Sequence, residues 1–87
     1  MSKKLSEQEL TDLLDDAQKK VAVGEHYQHY KGDLYEVVDV AIMTEEIGVG
    51  VIYKAQYGRN VLFVRPLEIF LEEIELKGKC VKRFAKV

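Results

Sequence analysis

The residues of this chain best placed to do chemistry are a histidine set among tyrosines and an arginine set against a proline. Tyr27, Tyr30 and Tyr35 crowd His29 and Lys31 into nine residues. An imidazole between phenols can titrate near neutrality and hydrogen-bond a phenol or a ligand. It can also be a half-buried strand histidine that satisfies a turn carbonyl. Arg65 ends an apolar run and is followed by Pro66, the only proline. Proline holds the residue before it extended, so this guanidinium can reach a carboxylate or phosphate as a fork. The alternative is an internal pair with Glu45, Glu68 or Glu72. Tyr53 and Tyr57 complete a set of five tyrosines. With Lys31, Lys54 and Arg59 nearby, such rings could stack bases or line a groove for an extended peptide. They could equally be core rings with the hydroxyl at the rim.

A second charged feature lies at the C-terminal end. Residues 76–87 hold Lys77, Lys79, Lys82, Arg83 and Lys86 and no acid, although the whole chain has a net charge of −2. A basic strip can hold phosphates, and lysines on an edge strand also deter unwanted sheet pairing. Other chemistry is poorly served. His26 and His29 are three apart, so on a strand they point to opposite faces, and Cys80 is the only cysteine; no metal site is expected. There is no phosphate-cradling glycine loop, nucleophile elbow or paired-histidine helix motif. Glu45-Glu46 and Glu72-Glu73 are neighbours that point apart when extended, so they make poor acid–base pairs. No cofactor is expected.

The elements that must position these residues are one helix and several strands. Residues 6–21 read as an amphipathic helix. Ser6 and Glu9 form a capping box, with Leu5 and Leu10 spaced as a hydrophobic staple. Leu10, Leu13, Leu14, Ala17 and Val21 make one apolar stripe, and Gly24 is a plausible stop. This stripe either packs on the sheet of its own domain or forms a dimer interface. After Gly24 the period becomes two. Strands are expected at 26–31, 34–43, 48–57 and 61–65, with a bulge near Val38-Asp39 that re-registers the second strand. Turns are expected at 31–33, 44–46 and 57–60. Pro66 opens a single helical turn at 66–71, and 73–84 reads as a hairpin turning at Lys77-Gly78-Lys79.

One helix and then hairpin-linked strands argue for an α+β chain with an antiparallel sheet. The strand number favours a small, partly open barrel, SH3-like in general form, with the helix packed on it. At 87 residues the chain is expected to be one domain, 1–87. A lone cysteine suits a reducing cytoplasm. No apolar run reaches the roughly 20 residues of a membrane span, and Met1 to Lys4 lead into a polar helix and not an apolar leader. A cytoplasmic protein that does not enter a membrane is expected.

Several strings are also familiar. They are Gly24; Tyr27, His29, Tyr30, Lys31, Gly32, Tyr35 and Val37; Glu45; Tyr53, Ala55, Tyr57 and Gly58; Val64, Arg65, Pro66, Leu67, Glu68 and Phe70; and Gly78, Arg83 and Phe84. Together they resemble a small bacterial domain-of-unknown-function family, number 1653, over about residues 24–84. The resemblance implies a short β-rich domain with no assigned activity, to which the helix at 6–21 is an addition. Phe63, Met43 and Lys82 stand where the family commonly has tryptophan, histidine and proline.

The residues favour a non-catalytic binding or adaptor module. Its face or rim would carry Tyr27, His29, Tyr57 and Arg65 and would take a peptide or an anionic ligand. The alternative is a nucleic-acid accessory module using Lys77, Lys79, Lys82, Arg83 and Lys86. A small enzyme ranks third and would need His29 in a pocket beside a carboxylate. The chain would act as a monomer or as a dimer formed through its helix.

Overall fold

A computed structural model describes residues 5–87. The segment 1–4, read from sequence as a polar lead-in, lies outside the described residues. Helix α1 runs over Glu7–Lys20 and starts on Ser6. The capping box forms in both directions: Glu9 N–H donates to the Ser6 hydroxyl at 3.1 Å, and Ser6 N–H donates to the Glu9 carboxylate at 2.9 Å. A side-chain cap of this kind contributes about 1 kcal/mol. The helix ends at Val21, and the Gly24 N–H then donates to the Val37 carbonyl, which ties the exit to the sheet.

The strands are β1 (His26–His29), β2 (Leu34–Met43), β3 (Gly48–Ala55), β4 (Leu62–Pro66), β5 (Glu73–Leu76), β6 (Lys79–Lys82) and β7 (Phe84–Lys86), with a short helix α2 (Leu67–Phe70) between β4 and β5. Five of them form one antiparallel sheet in the order β4-β3-β2-β1-β7, and β5 and β6 pair separately. The α+β architecture is the expected one. The bulge also falls where the broken alternation placed it, between Val37 and Asp39. This single extra residue keeps Tyr35, Val37, Val40 and Ile42 on one face.

That face is the core. Tyr27, Tyr35, Val37, Val40, Val51, Tyr53, Ala55 and Phe84 are buried on it, under Ala17 and Val21 of the α1 segment and Phe70 of α2. Leu13 and Leu14 pack against the same cluster. The apolar stripe of the helix is therefore spent on its own domain. On the opposite face Gly50 leaves room for its neighbours. A Cβ there would lie 3.0 Å from Val64 and 3.1 Å from Met43.

The sheet stays open and does not close into a barrel. Closure would need β4 to pair with β7. Instead α2 stands between them, with Phe70 stacked on Phe84 at 4.3 Å and an interplanar angle of 7°. The C-terminal unit also differs from one long hairpin. It turns at Lys77 and Gly78, both at positive φ (53° and 81°), the handedness that suits a two-residue hairpin. The chain then bends at Arg83. The Arg83 N–H donates to the Glu72 carbonyl, and its carbonyl accepts from the Tyr30 N–H. The bend passes the chain from β6 to β7, which joins the main sheet beside β1. No helix among the described residues is long and apolar enough to cross a membrane.

Phe70 is 1% exposed and holds α2 to the sheet. Truncating a fully buried Phe costs about 3–5 kcal/mol. Phe70→Ala is expected to lower the unfolding free energy measured by urea titration by an amount in this range. Phe63→Ala, on a ring 41% exposed, is expected to cost much less.

Candidate functional site

The site begins with the ring of Phe84. It is 4% exposed and lies in edge-to-face or near edge-to-face contact with Tyr35 at 5.7 Å, Tyr53 at 5.3 Å and His29 at 4.9 Å. The guanidinium carbon of Arg65 sits 5.8 Å from the centre of the same ring, a cation–π distance. Pairing explains the convergence. His29 is registered with Phe84 between β1 and β7, and Phe63 with Tyr53 between β3 and β4. Arg65 is two residues beyond Phe63, so it shares that face.

Arg65 is held but not neutralised. Its Nε donates to the Tyr53 hydroxyl at 2.7 Å. Among the described residues it forms no salt bridge, and none of Glu45, Glu68 and Glu72 pairs with it. Glu72 pairs with Arg83 instead. The Arg83 Nε is buried and has no hydrogen-bond partner among the described residues. This corner of the domain therefore carries guanidinium donors that the protein does not fill.

His29 records the resulting field. Its basicity is lowered from the ordinary value of 6.5 by burial first, then by the charges of Arg65, Arg83 and Lys31, with Asp33 opposing. Its Nδ1 accepts the Lys31 N–H at 3.2 Å. The neutral ring so held carries its proton on Nε2 and can donate from there. No carboxylate hydrogen-bonds His29 among the described residues. His29 also borders a shallow cleft of about 320 Å³ with Gln28, Tyr30, Leu76, Val81 and Lys82.

Tyr57 lies against Tyr35, with ring centroids 5.7 Å apart. It is 45% exposed and its hydroxyl is 2.7 Å from that of Tyr35. Burial, and next this hydrogen bond, raise the pKa of Tyr35 above its ordinary value. Tyr35 therefore acts as a neutral hydrogen-bonding group. Phe63 completes the rim, 5.5 Å from Tyr53 and 6.2 Å from Tyr35.

Three of the four residues expected on the binding face, His29, Tyr57 and Arg65, thus surround one aromatic floor. Tyr27 does not join them. It is 7% exposed, packs edge-on against Phe70 at 5.4 Å, and its hydroxyl accepts the Ala22 N–H. Its register opposite Tyr35 puts it deeper on the same face, under α1 and α2. Tyr53 belongs to the set of five tyrosines read from sequence, whereas Phe84 and Phe63 were not expected on the binding face. The string Arg83-Phe84 was the available signal for the first of these two.

The basic strip does not form a single cationic surface. Arg83 pairs with Glu72, and Lys86 with Glu25 at 3.6 Å. On the β5–β6 hairpin Glu73 stands opposite Lys82. Lys77 and Lys79 remain exposed at the turn. No cluster of three or more histidine, cysteine, aspartate or glutamate side chains that could hold a metal occurs among the described residues.

Fold and site together define a small α+β domain with an aromatic mouth and an unneutralised arginine. Residues 25–86 match the family described as protein of unknown function DUF1653, and the chain belongs to that family. It is similar to a solved structure, the crystal structure of a DUF1653 protein from Bordetella bronchiseptica, at 31% identity and a TM-score of 0.68, over 78% of this chain and 90% of that one. No curated protein matches the chain.

A histidine whose folded-state basicity is lowered binds its proton more readily in the unfolded chain. The stability linked to His29 is therefore full above about pH 6.5 and falls as pH drops below it. Denaturation midpoints from neutral to mildly acidic pH are expected to fall more steeply in the wild type than in His29→Asn. NMR titration of the His29 ring is expected to show a midpoint below that of the denatured chain.

Proposed function

We propose that this domain is a non-catalytic binding module that captures an anionic group, a carboxylate foremost, carried beside an apolar or aromatic moiety on a peptide or small molecule. The observation that carries the reading is Arg65. It is oriented by Tyr53, laid against Phe84, and left without a carboxylate partner among the described residues. A guanidinium held in this way has lost the freedom that binding would otherwise cost. It offers its remaining donors as a fork to an incoming anion. His29 adds an Nε2 donor from the same floor, and Phe63 and Tyr57 offer ring surface at the rim. The exposed Cys80 suits a reducing cytoplasm as the setting.

The reading is tested by amide and arginine-side-chain NMR with two small probes, N-acetylphenylalanine and its uncharged amide. The carboxylate form is expected to shift Arg65 Nε, His29, Tyr57 and Phe63, and the amide to shift them several-fold less. Arg65→Gln, at a half-buried position outside the core, is expected to abolish the difference while leaving the rest of the spectrum in place. Equal shifts from the two probes, or shifts that persist in Arg65→Gln, would overturn the reading. Salt-sensitive shifts at Lys77 and Lys79 with a short single-stranded RNA, and silence with both small probes, would replace it with nucleic-acid binding.

A further inference from the structure

The outer strand β4 carries an unused set of hydrogen-bonding groups. β4 is one end of the five-stranded sheet. The Ala55 N–H donates to the Val61 carbonyl, so residues 61, 63 and 65 turn their backbone groups toward β3. Antiparallel pairing alternates. The N–H and C=O groups of Leu62 and Val64 therefore point away from the sheet. Over residues 61–64 the side chains do nothing to guard this edge; Arg65 and Pro66 guard only its end. Val61, Leu62, Phe63 and Val64 are 51%, 59%, 41% and 60% exposed, and no charge occurs among them. An open, apolar edge of this kind is a template for another strand, and proteins normally block it with lysine, proline or a bulge. The opposite edge is blocked in that way: β7 is three residues long and carries Lys86.

We infer that β4 pairs antiparallel with β4 of a second copy of this chain, across a two-fold axis at Phe63, to make one continuous ten-stranded sheet. The strand is complementary to itself in this register. Leu62 of each copy lies opposite Val64 of the other, and these are the residues with outward backbone groups, so the two pairs exchange four hydrogen bonds. The two Phe63 residues face each other at the non-hydrogen-bonded position, where side chains approach most closely. Arg65 falls opposite Val61, so no like charges meet. An unrelated extended peptide would find the same backbone groups, but no charge among residues 61–64 to select it. The dimer stands independently of the anion site, and it would place the two Phe63 rims side by side.

Sedimentation velocity over a range of concentrations tests the pairing. The wild type is expected to dimerise reversibly. Leu62→Lys, and Val64→Pro, which deletes an outward N–H and leaves the β3 ladder intact, are expected to be monomeric and folded. Leu76→Lys, at an exposed position on the β5–β6 hairpin, is expected to dimerise like the wild type. The double variant Leu62→Lys/Val64→Glu sets opposite charges against each other across the axis and is expected to regain association at low salt. A wild type that stays monomeric at NMR concentrations would overturn the inference. So would a dimer indifferent to both single β4 variants.

Discussion

The stack of Phe84 on Phe70 is the contact on which the rest of the domain depends. It joins the last strand of the sheet to the one helical turn that follows β4. To deliver Phe84 to that stack, the chain must leave the β5–β6 hairpin and bend at Arg83 before it can lie beside β1. Once there, Phe84 brings His29, Tyr35 and Tyr53 against one ring, and Phe70 brings Tyr27. Aromatic pairs contribute about 1 kcal/mol each beyond the area they bury. In a domain of this size a connected cluster of seven such contacts is a large share of the specificity of the core. It also explains why the sheet is open. The space that a closing strand pair would occupy is filled by α2.

Arg65 can remain without an acid because its surroundings suit a guanidinium and would not suit an ammonium. Its charge is spread over a plane and weakly hydrated. One N–H is satisfied by Tyr53, and the face rests on Phe84. The remaining donors reach solvent, since the residue is only half-buried. Of the acids that could have neutralised it, neither Glu45 nor Glu68 pairs with it. Glu72 is held by Arg83, which is itself fixed by the backbone bend. The positive charge that remains acts on His29, where burial first and then Arg65 and Arg83 oppose protonation. Structural demand on one arginine thus leaves the other available.

Much of this was legible in the sequence, and the part that was not has a definite cause. The capping box, the apolar stripe of α1, the bulge at Val38 and the stop at Pro66 are local signals, set by residues a few positions apart, and the structure keeps each of them. The convergence of His29, Tyr57 and Arg65 was also foreseeable, because strand parity and a hairpin fix which residues share a face. Tyr27 shows the limit. Its face was readable, but whether that end of the face is open depends on where α1 and α2 come to rest. The split of the C-terminal hairpin at Arg83 is likewise a tertiary decision. Nothing between Lys79 and Lys86 breaks a strand by composition, and the break comes from Glu72 and Tyr30.

The loop between β3 and β4 shows how closely site and edge are tied. A four-residue turn over 57–60 is what the sequence suggests. The pairing of Ala55 with Val61 instead leaves residues 56–60 outside the ladder. Asn60 enters the left-handed region at φ 56°, and its side chain closes the loop on the Ala55 carbonyl at 2.8 Å. That one residue sets the parity of β4. Shifting the register by one would send Phe63 and Arg65 to the outer face, because side chains alternate with a period of two. It would also turn the backbone groups of residues 61, 63 and 65 outward in place of those of 62 and 64. Loss of Asn60 as a loop closer would therefore act on the aromatic mouth and on the free edge together, although Asn60 belongs to neither.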